Sequence, residues 1–421
     1  MGQLYGQYKT PSMMRITPFW LLLTLLSGCS DEKAAPVTVA QTDTTSTPTS
    51  PRISDAGSGT LAPAASSLID ISASAVGHYC EVSATLITSL AGFSNHPSAE
   101  ALLEAKSAWQ QTHESLMRIG YLKYLPIDHP ALDHIPVVSA PDQDAGKTPV
   151  ETANQRLRIW QVLDQTPLLG GYLDYVQQYP FSGIVNSEID ITEQTLRVEF
   201  QFSDDMYVTT GFHAAEFMLW GEDGKRTVAD FLTAPEKTED HNQRAGRRLG
   251  LIKAINEALK TDTEKLCAAW SESPTYYVSK IRQYGHLQQL EIVLQTVKGA
   301  LQLIIAAELQ HYAAGASSDY HSSYSGNSMN DLKAAYYSIN KILQEQPLQS
   351  TFSESMQSNA ESAQTMETLL LQLKDVIDRL TQGTEKDGTD QPEKNDIAQA
   401  EKGLELINEM VMRIDTIIDT H

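Results

Sequence analysis

"NDIAQAEKGLELINEMVMRIDTIID", Asn395 to Asp419, decides the fold. Within it Ile397, Ala400, Leu404, Ile407, Val411, Ile414 and Ile418 recur at spacings that alternate between 3 and 4. That period lines apolar side chains along one face of an α-helix and leaves the other face to charged residues. Asn395 and Asp396 stand where an N-cap accepts from the first free N–H groups. One helix earlier, Met366, Leu369, Leu373, Val376 and Leu380 repeat the pattern, separated from it by the breaker-rich loop "TQGTEKDGTDQPEKN". Leu290, Leu294, Val297, Leu301 and Ile304 form a third stripe. Near the front, "SLIDISASAVGHYCEVSATLITSLAGF" and "PSAEALLEAKSAWQQTHESLMRIGYL" predict two more helices, the second opened by Pro97. Strand-like alternation is confined to "RVEFQF", Arg197 to Phe202.

Long helices with narrow apolar stripes bury those stripes against one another, so the expected fold class is all-α, built as helical bundles. A chain of 421 residues exceeds one four-helix bundle. Two packed helical-bundle domains are expected, 68–205 and 206–421. A hydrophobic content of 41% supplies their cores. The net charge of -22 argues against a nucleic-acid partner, because phosphate backbones need clustered Lys and Arg. Acidity on this scale serves solubility or raises the local concentration of cations.

The N-terminus has the pattern of a targeting segment. Lys9 and Arg15 make a positive region, and "FWLLLTLL", Phe19 to Leu26, is an apolar run too short to span a bilayer permanently. "LSGC", Leu26 to Cys29, resembles a bacterial lipobox, which predicts a signal peptide over 1–28 and lipidation at Cys29. Its removal takes two positive charges and no negative one, leaving about -24 on the mature chain. Acyl chains on Cys29 would anchor the protein to a membrane. Ser30, not aspartate, follows the cysteine, which favours the outer membrane of a Gram-negative envelope, facing periplasm or cell surface. Residues 29–67 are rich in Ser, Thr, Pro and Ala and predict a disordered tether.

"GFHAAEFMLWGEDG", Gly211 to Gly224, carries the first candidate for chemistry. His213 and Glu216 are three residues apart and share a helix face, so both reach one point. Thr209 or Thr210 is placed to cap that helix, and Gly211 permits close approach of another backbone. Imidazole and carboxylate suit zinc or iron, but one helix supplies only two ligands. A buried histidine–glutamate hydrogen bond with no chemistry has the same spacing. Glu308 and His311 in "ELQH" repeat the Glu-x-x-His spacing of di-iron bundles once, and equally suit a plain helix end. Asp128, His129, Asp133 and His134 in "PIDHPALDHIP" are either a chelating loop or a solvated one. H-E-x-x-H, G-x-S-x-G, phosphate-loop and dinucleotide motifs do not occur. Cys80 and Cys267 are free to bridge in an oxidising compartment or to remain buried thiols.

"TTGFHAAEFMLWGEDG" resembles the hallmark of the imelysin family, G-x-H-x-x-E followed by an apolar stretch and Leu-Trp-Gly. Gly211, His213 and Glu216 match it, and Leu219, Trp220, Gly221 and Asp223 extend it. "IWQVLDQTPLLGGYLDYV" is similar to a Trp-Pro-x-Asp segment ending in Asp-Tyr, with Gln161 where proline is usual. "GIVN", Gly183 to Asn186, resembles the link into the next helix, and Arg247 and Arg248 stand at the expected arginines. "HSSYSGNSMND" resembles His-Ser-x-Phe-Ser-Asp-Asn-Thr. It retains His321, Ser322, Ser325 and Asn327, while Tyr324 replaces phenylalanine and Gly326 replaces aspartate. The resemblance covers roughly residues 68–415.

The resemblance implies two helical bundles in a cell-envelope protein connected with iron uptake or homeostasis. It implies a metal ion, iron before zinc or copper, or a metal-bearing ligand, held in a cleft by His213, Glu216 and His321. Gly211, Ser322, Ser325 and Asn327 would line that cleft, and iron-uptake components would be partners. Two alternatives stay open: a metallopeptidase using His213 and Glu216, and an envelope scaffold without catalysis.

Overall fold

The apolar stripes predicted from the sequence pack as helices. The computed structural model describes residues 59–136, 156–235, 237–315, 320–357, 365–387 and 394–420. The expected signal peptide, Cys29 and the tether up to residue 58 lie outside the described residues. Helix α1, Pro63–Asn95, begins earlier than the expected start at 68, because Pro63 fits the first turn, where a missing N–H costs nothing. Helix α2, Ala99–Ile119, is capped by Ser98, whose hydroxyl accepts from the Ala101 N–H.

Short elements follow. A two-residue antiparallel ladder pairs β1, Ile135–Pro136, with β2, Arg156–Leu157. The short helices are α3, Ile159–Leu163, α4, Gly170–Leu173, and α5, Glu193–Glu199. The strand-like "RVEFQF" is therefore the end of α5 followed by a turn, in which Phe200 is extended and Gln201 has φ 52°. Within it Arg197 reaches Glu193 and Asp262, Phe200 is buried and Phe202 is exposed, so the alternation does not mark one buried face.

Helix α6, Gly211–Trp220, carries the hallmark, and α7, Glu239–Ser271, is one of the two longest helices described. After α8, Tyr276–Ile281, and α9, His286–Ala300, the helix widens into a π turn over Leu301–Ile305 and continues as α10, Ala306–Ala314. A π turn inserts an extra residue, so the face α10 presents is rotated from the one α9 presents. Then come α11, Ser328–Leu343, α12, Gln346–Gln357, α13, Met366–Asp387, and α14, Lys394–Thr420. Asn395 and Asp396 lie inside the first turn of α14, not ahead of it; an acidic Asp396 there favours the positive helix end.

Two groups of helices result. In the first, α1 packs along α2 and α7, and α6 packs against α2 and α7. In the second, α14 packs on α10 and α13, and α13 on α11. They join where α2 meets α11 and α1 meets α9. Helices α6 and α7 lie on the C-terminal side of the expected 205/206 division, yet they pack with α1 and α2. Cys80 on α1 and Cys267 on α7 form a disulfide, with Cα atoms 6.0 Å apart, in the first group.

Candidate metal centre

The site starts from a glycine. Gly211 has φ 87°, and a Cβ there would lie 2.5 Å from the Val162 carbonyl oxygen and 2.7 Å from that of Leu163. Glycine alone lets the start of α6 abut the end of α3, and this brings His213 beside Asp164. Neither Thr209 nor Thr210 caps α6 through its side chain; the Thr209 hydroxyl donates to the Leu196 carbonyl instead. All ten residues of α6 are buried.

Three imidazoles converge on one carboxylate oxygen. The Nε2 atoms of His113, His213 and His321 lie 3.1, 3.2 and 3.0 Å from Asp164 Oδ1. The four potential ligand atoms all lie within 4.8 Å of one another. His113 comes from α2, where it stacks on Trp109 at 4.7 Å between ring centroids. His321 comes from the turn before α11. The other oxygen of Asp164, Oδ2, accepts from Lys123 Nζ at 2.5 Å.

The far nitrogens decide what the near ones can do. His213 Nδ1 lies 2.9 Å from Glu216 Oε2, and His113 Nδ1 lies 2.9 Å from Asp331 Oδ1. An ionised carboxylate only accepts, so each Nδ1 carries the proton. In the neutral ring Nε2 then points a lone pair at Asp164 Oδ1, itself an acceptor. Either a proton on each ring or one cation shared by all four atoms removes this clash. The three Nε2–Oδ1 separations fit N–H···O hydrogen bonds and also fit the ligand–ligand edges of a first-row metal polyhedron, about 3.0–3.4 Å for bonds near 2.1 Å. A histidine whose second nitrogen donates to a carboxylate is the usual form of a metal-bound imidazole.

The two carboxylates are themselves held by the segment 321–331. Glu216 Oε1 accepts from the Ser325 N–H at 2.8 Å and from the Ser325 hydroxyl at 2.7 Å. Asp331 accepts from the Ser322 hydroxyl at 2.6 Å and from Asn327 Nδ2 at 2.9 Å. Glu216→Gln keeps the shape but removes the acceptor charge that fixes His213. It is expected to weaken metal binding about 10–100-fold with the helical content intact, read by calorimetry and circular dichroism.

The charges are unequal around the centre. Burial would raise the Asp164 pKa, but Lys123 and the three rings hold it well below the usual carboxylate range. Burial alone would lower His113; Asp331 and Asp164 reverse this and push it up to about 10. Burial lowers His213 too, and its hydrogen bonds to Asp164 and Glu216 again carry it above its ordinary value. At His321 burial wins over Asp164, and the pKa stays below its ordinary value. Burial pushes Glu308 up to about 8.

A cavity opens beside the centre among the described residues. It measures about 200 Å³ and is lined by Lys123, Asp164, His321, Glu308 and His311, with Leu303 of the π turn at its wall. His321 is 17% exposed, whereas the side chains of His113, His213 and Asp164 are buried. The Glu308 carboxylate accepts from the His321 N–H at 3.3 Å. The "ELQH" spacing therefore belongs to this site's wall, because the π turn rotates α10 toward it.

Of the three expected ligands, the structure brings His213 and His321 together; Glu216 stands behind His213. Ser322, Ser325 and Asn327 brace carboxylates, and Gly211 sets the approach of α6. "PIDHPALDHIP" is not part of the cluster: Asp133 accepts from the His129 N–H and pairs with Arg158, which closes the loop on itself. His113 and Asp164 were not singled out from the sequence. His113 falls four residues after Trp109 on the buried face of α2, an ionisable residue inside an apolar stripe. Asp164 lies within the "IWQVLD" stretch. The departures from the family pattern have local accounts. Gln161 Oε1 accepts from the Arg158 N–H, Tyr324 donates to the Leu168 carbonyl, and Gly326 has φ 67°. Arg247 holds the carbonyls of Ile184, Val185 and Ile189, and Arg248 pairs with Asp174.

Fold and site together define an all-helical protein organised around one buried three-histidine, one-aspartate cluster. The chain belongs to the imelysin family, whose profile matches residues 74–420. No protein with a curated description matches it in sequence. Among solved structures it is similar to that of a "putative iron-regulated protein A precursor" from Parabacteroides distasonis ATCC 8503. That likeness has 14% identity and a TM-score of 0.49, over 87% of this chain and 97% of the other.

Proposed function

We propose that this protein binds one transition-metal ion through His113, Asp164, His213 and His321, as an iron-handling component of the bacterial cell envelope. The observation that carries the reading is the convergence of three Nε2 atoms on one Asp164 oxygen, with two of the rings held at Nδ1 by buried carboxylates. Nitrogen and oxygen donors of this kind suit iron, zinc or copper and exclude no one of them; the family resemblance puts iron first. The lipobox at Cys29 supports a membrane anchor, and the Cys80–Cys267 bridge supports an oxidising compartment. Glu216 has both oxygens engaged, which favours binding over hydrolysis with Glu216 as base.

The test is a titration of chelator-treated protein with Fe(II) under anaerobic conditions and with Zn(II). One-to-one binding is expected, with unfolding free energy raised by about 2.7 kcal/mol at a hundredfold excess over Kd. A silent titration and an unmoved melting curve with iron, zinc and copper would overturn the reading.

A further inference from the structure

We propose that Lys123 makes the centre selective for divalent over trivalent cations, through the unit charge it places beside Asp164. The inference rests on the metal-binding reading and names the class of ion.

Three carboxylates surround the meeting point of the rings, and each is enclosed by donors. Asp164 faces the three Nε2 atoms and Lys123. Asp331 faces His113, Ser322 and Asn327. Glu216 faces His213 and Ser325. With neutral rings bound to an ion, these carboxylates and the Lys123 ammonium leave two negative charges, the complement of a divalent cation. Without Lys123 the same set leaves three.

The position of Lys123 gives that charge leverage. Its Nζ holds the Asp164 oxygen that does not face the rings, so it lies one carboxylate away from the ion and only 18% exposed. Repulsion between the ammonium and a bound ion grows in proportion to the ion's charge. Removing the ammonium therefore favours a trivalent ion over a divalent one. Glu308 and His311 also face the cavity, but the substitution leaves them unchanged, so the comparison does not depend on how they are counted. Lys123 also occupies the second oxygen of Asp164, which keeps that carboxylate from presenting both oxygens to the centre.

The experiment compares Zn(II) with Ga(III), two redox-inert probes, by competition against nitrilotriacetate in wild type, Lys123→Met, Lys123→Gln and Lys123→Arg. Circular dichroism melts establish that each variant folds; Lys123→Gln keeps a donor for Asp164 Oδ2 should Lys123→Met not fold. Wild type and Lys123→Arg are expected to prefer Zn(II). The neutral variants are expected to raise the Ga(III)-to-Zn(II) affinity ratio at least about tenfold. A ratio unchanged in folded neutral variants, or a wild-type preference for Ga(III), overturns this inference and leaves the binding site standing. Absence of any binding in wild type removes both.

Discussion

Asp164→Asn is expected to abolish tight metal binding in a protein that still folds. The side chain is isosteric, but each of its oxygens is committed. Oδ1 is the atom that three imidazoles approach, and Oδ2 holds Lys123. A carboxamide satisfies only one side. With its NH₂ toward Lys123, two donors oppose each other and the ammonium is left without a counter-charge. With its NH₂ toward the rings, it donates to Nε2 lone pairs and occupies the point where a cation would sit. Breaking a buried pair costs about 3–5 kcal/mol, and the lower figure applies because Lys123 can turn its ammonium to water. Four-ligand sites bind with roughly 10–16 kcal/mol, so one ligand carries about 3–4 kcal/mol, or on the order of 10²–10³ in Kd. Calorimetry on the folded variant measures this. Wild-type affinity would remove Asp164 from the centre and leave the histidines as a buried hydrogen-bond cluster.

The fold was legible because its signal is redundant. The stripe of α14 uses seven apolar positions, and losing one would not hide the period. The first helix group was harder to see, since α6 is buried on every side and shows no amphipathic contrast. Sequence distance sets α6 and α7 apart from α1 and α2, with which they pack across a long run of short elements. At the site, His213 and Glu216 announced themselves by spacing within one helix. His113 and Asp164 did not, because their relation to His213 is set by three separate segments and the sequence holds no local record of it. Glu216 was legible as functional but not as to role. The i, i+3 geometry that lets two side chains share a metal also lets one brace the other, and only the position of Asp164 shows which occurs. The π turn over Leu301–Ile305 explains why the Glu308–His311 spacing could not be placed: it breaks the period that links α9 to α10.

Gly211→Ala is expected to damage stability and binding together, and Gly326→Ala neither to a comparable degree. Both glycines have positive φ, 87° and 67°, so both substitutions carry the left-handed cost of about 1–2 kcal/mol. They differ in what a methyl group would meet. At Gly326 nothing lies within 4 Å; at Gly211 the Val162 oxygen lies 2.5 Å from the added carbon. That contact cannot relax by a rotamer change, because the opposing atoms are backbone. Relief requires α6 to move away from α3, at a further cost of about 1–3 kcal/mol. The movement separates His213 from Asp164, whose side chains are anchored within two residues of the contact on each side. Thermal unfolding should therefore show Gly211→Ala losing about 2–5 kcal/mol and Gly326→Ala about 1–2 kcal/mol. Metal affinity should fall only in the former. Equal losses at both positions would mean that backbone strain alone matters, and that the tight approach of α6 to the Asp164 segment does not build the site.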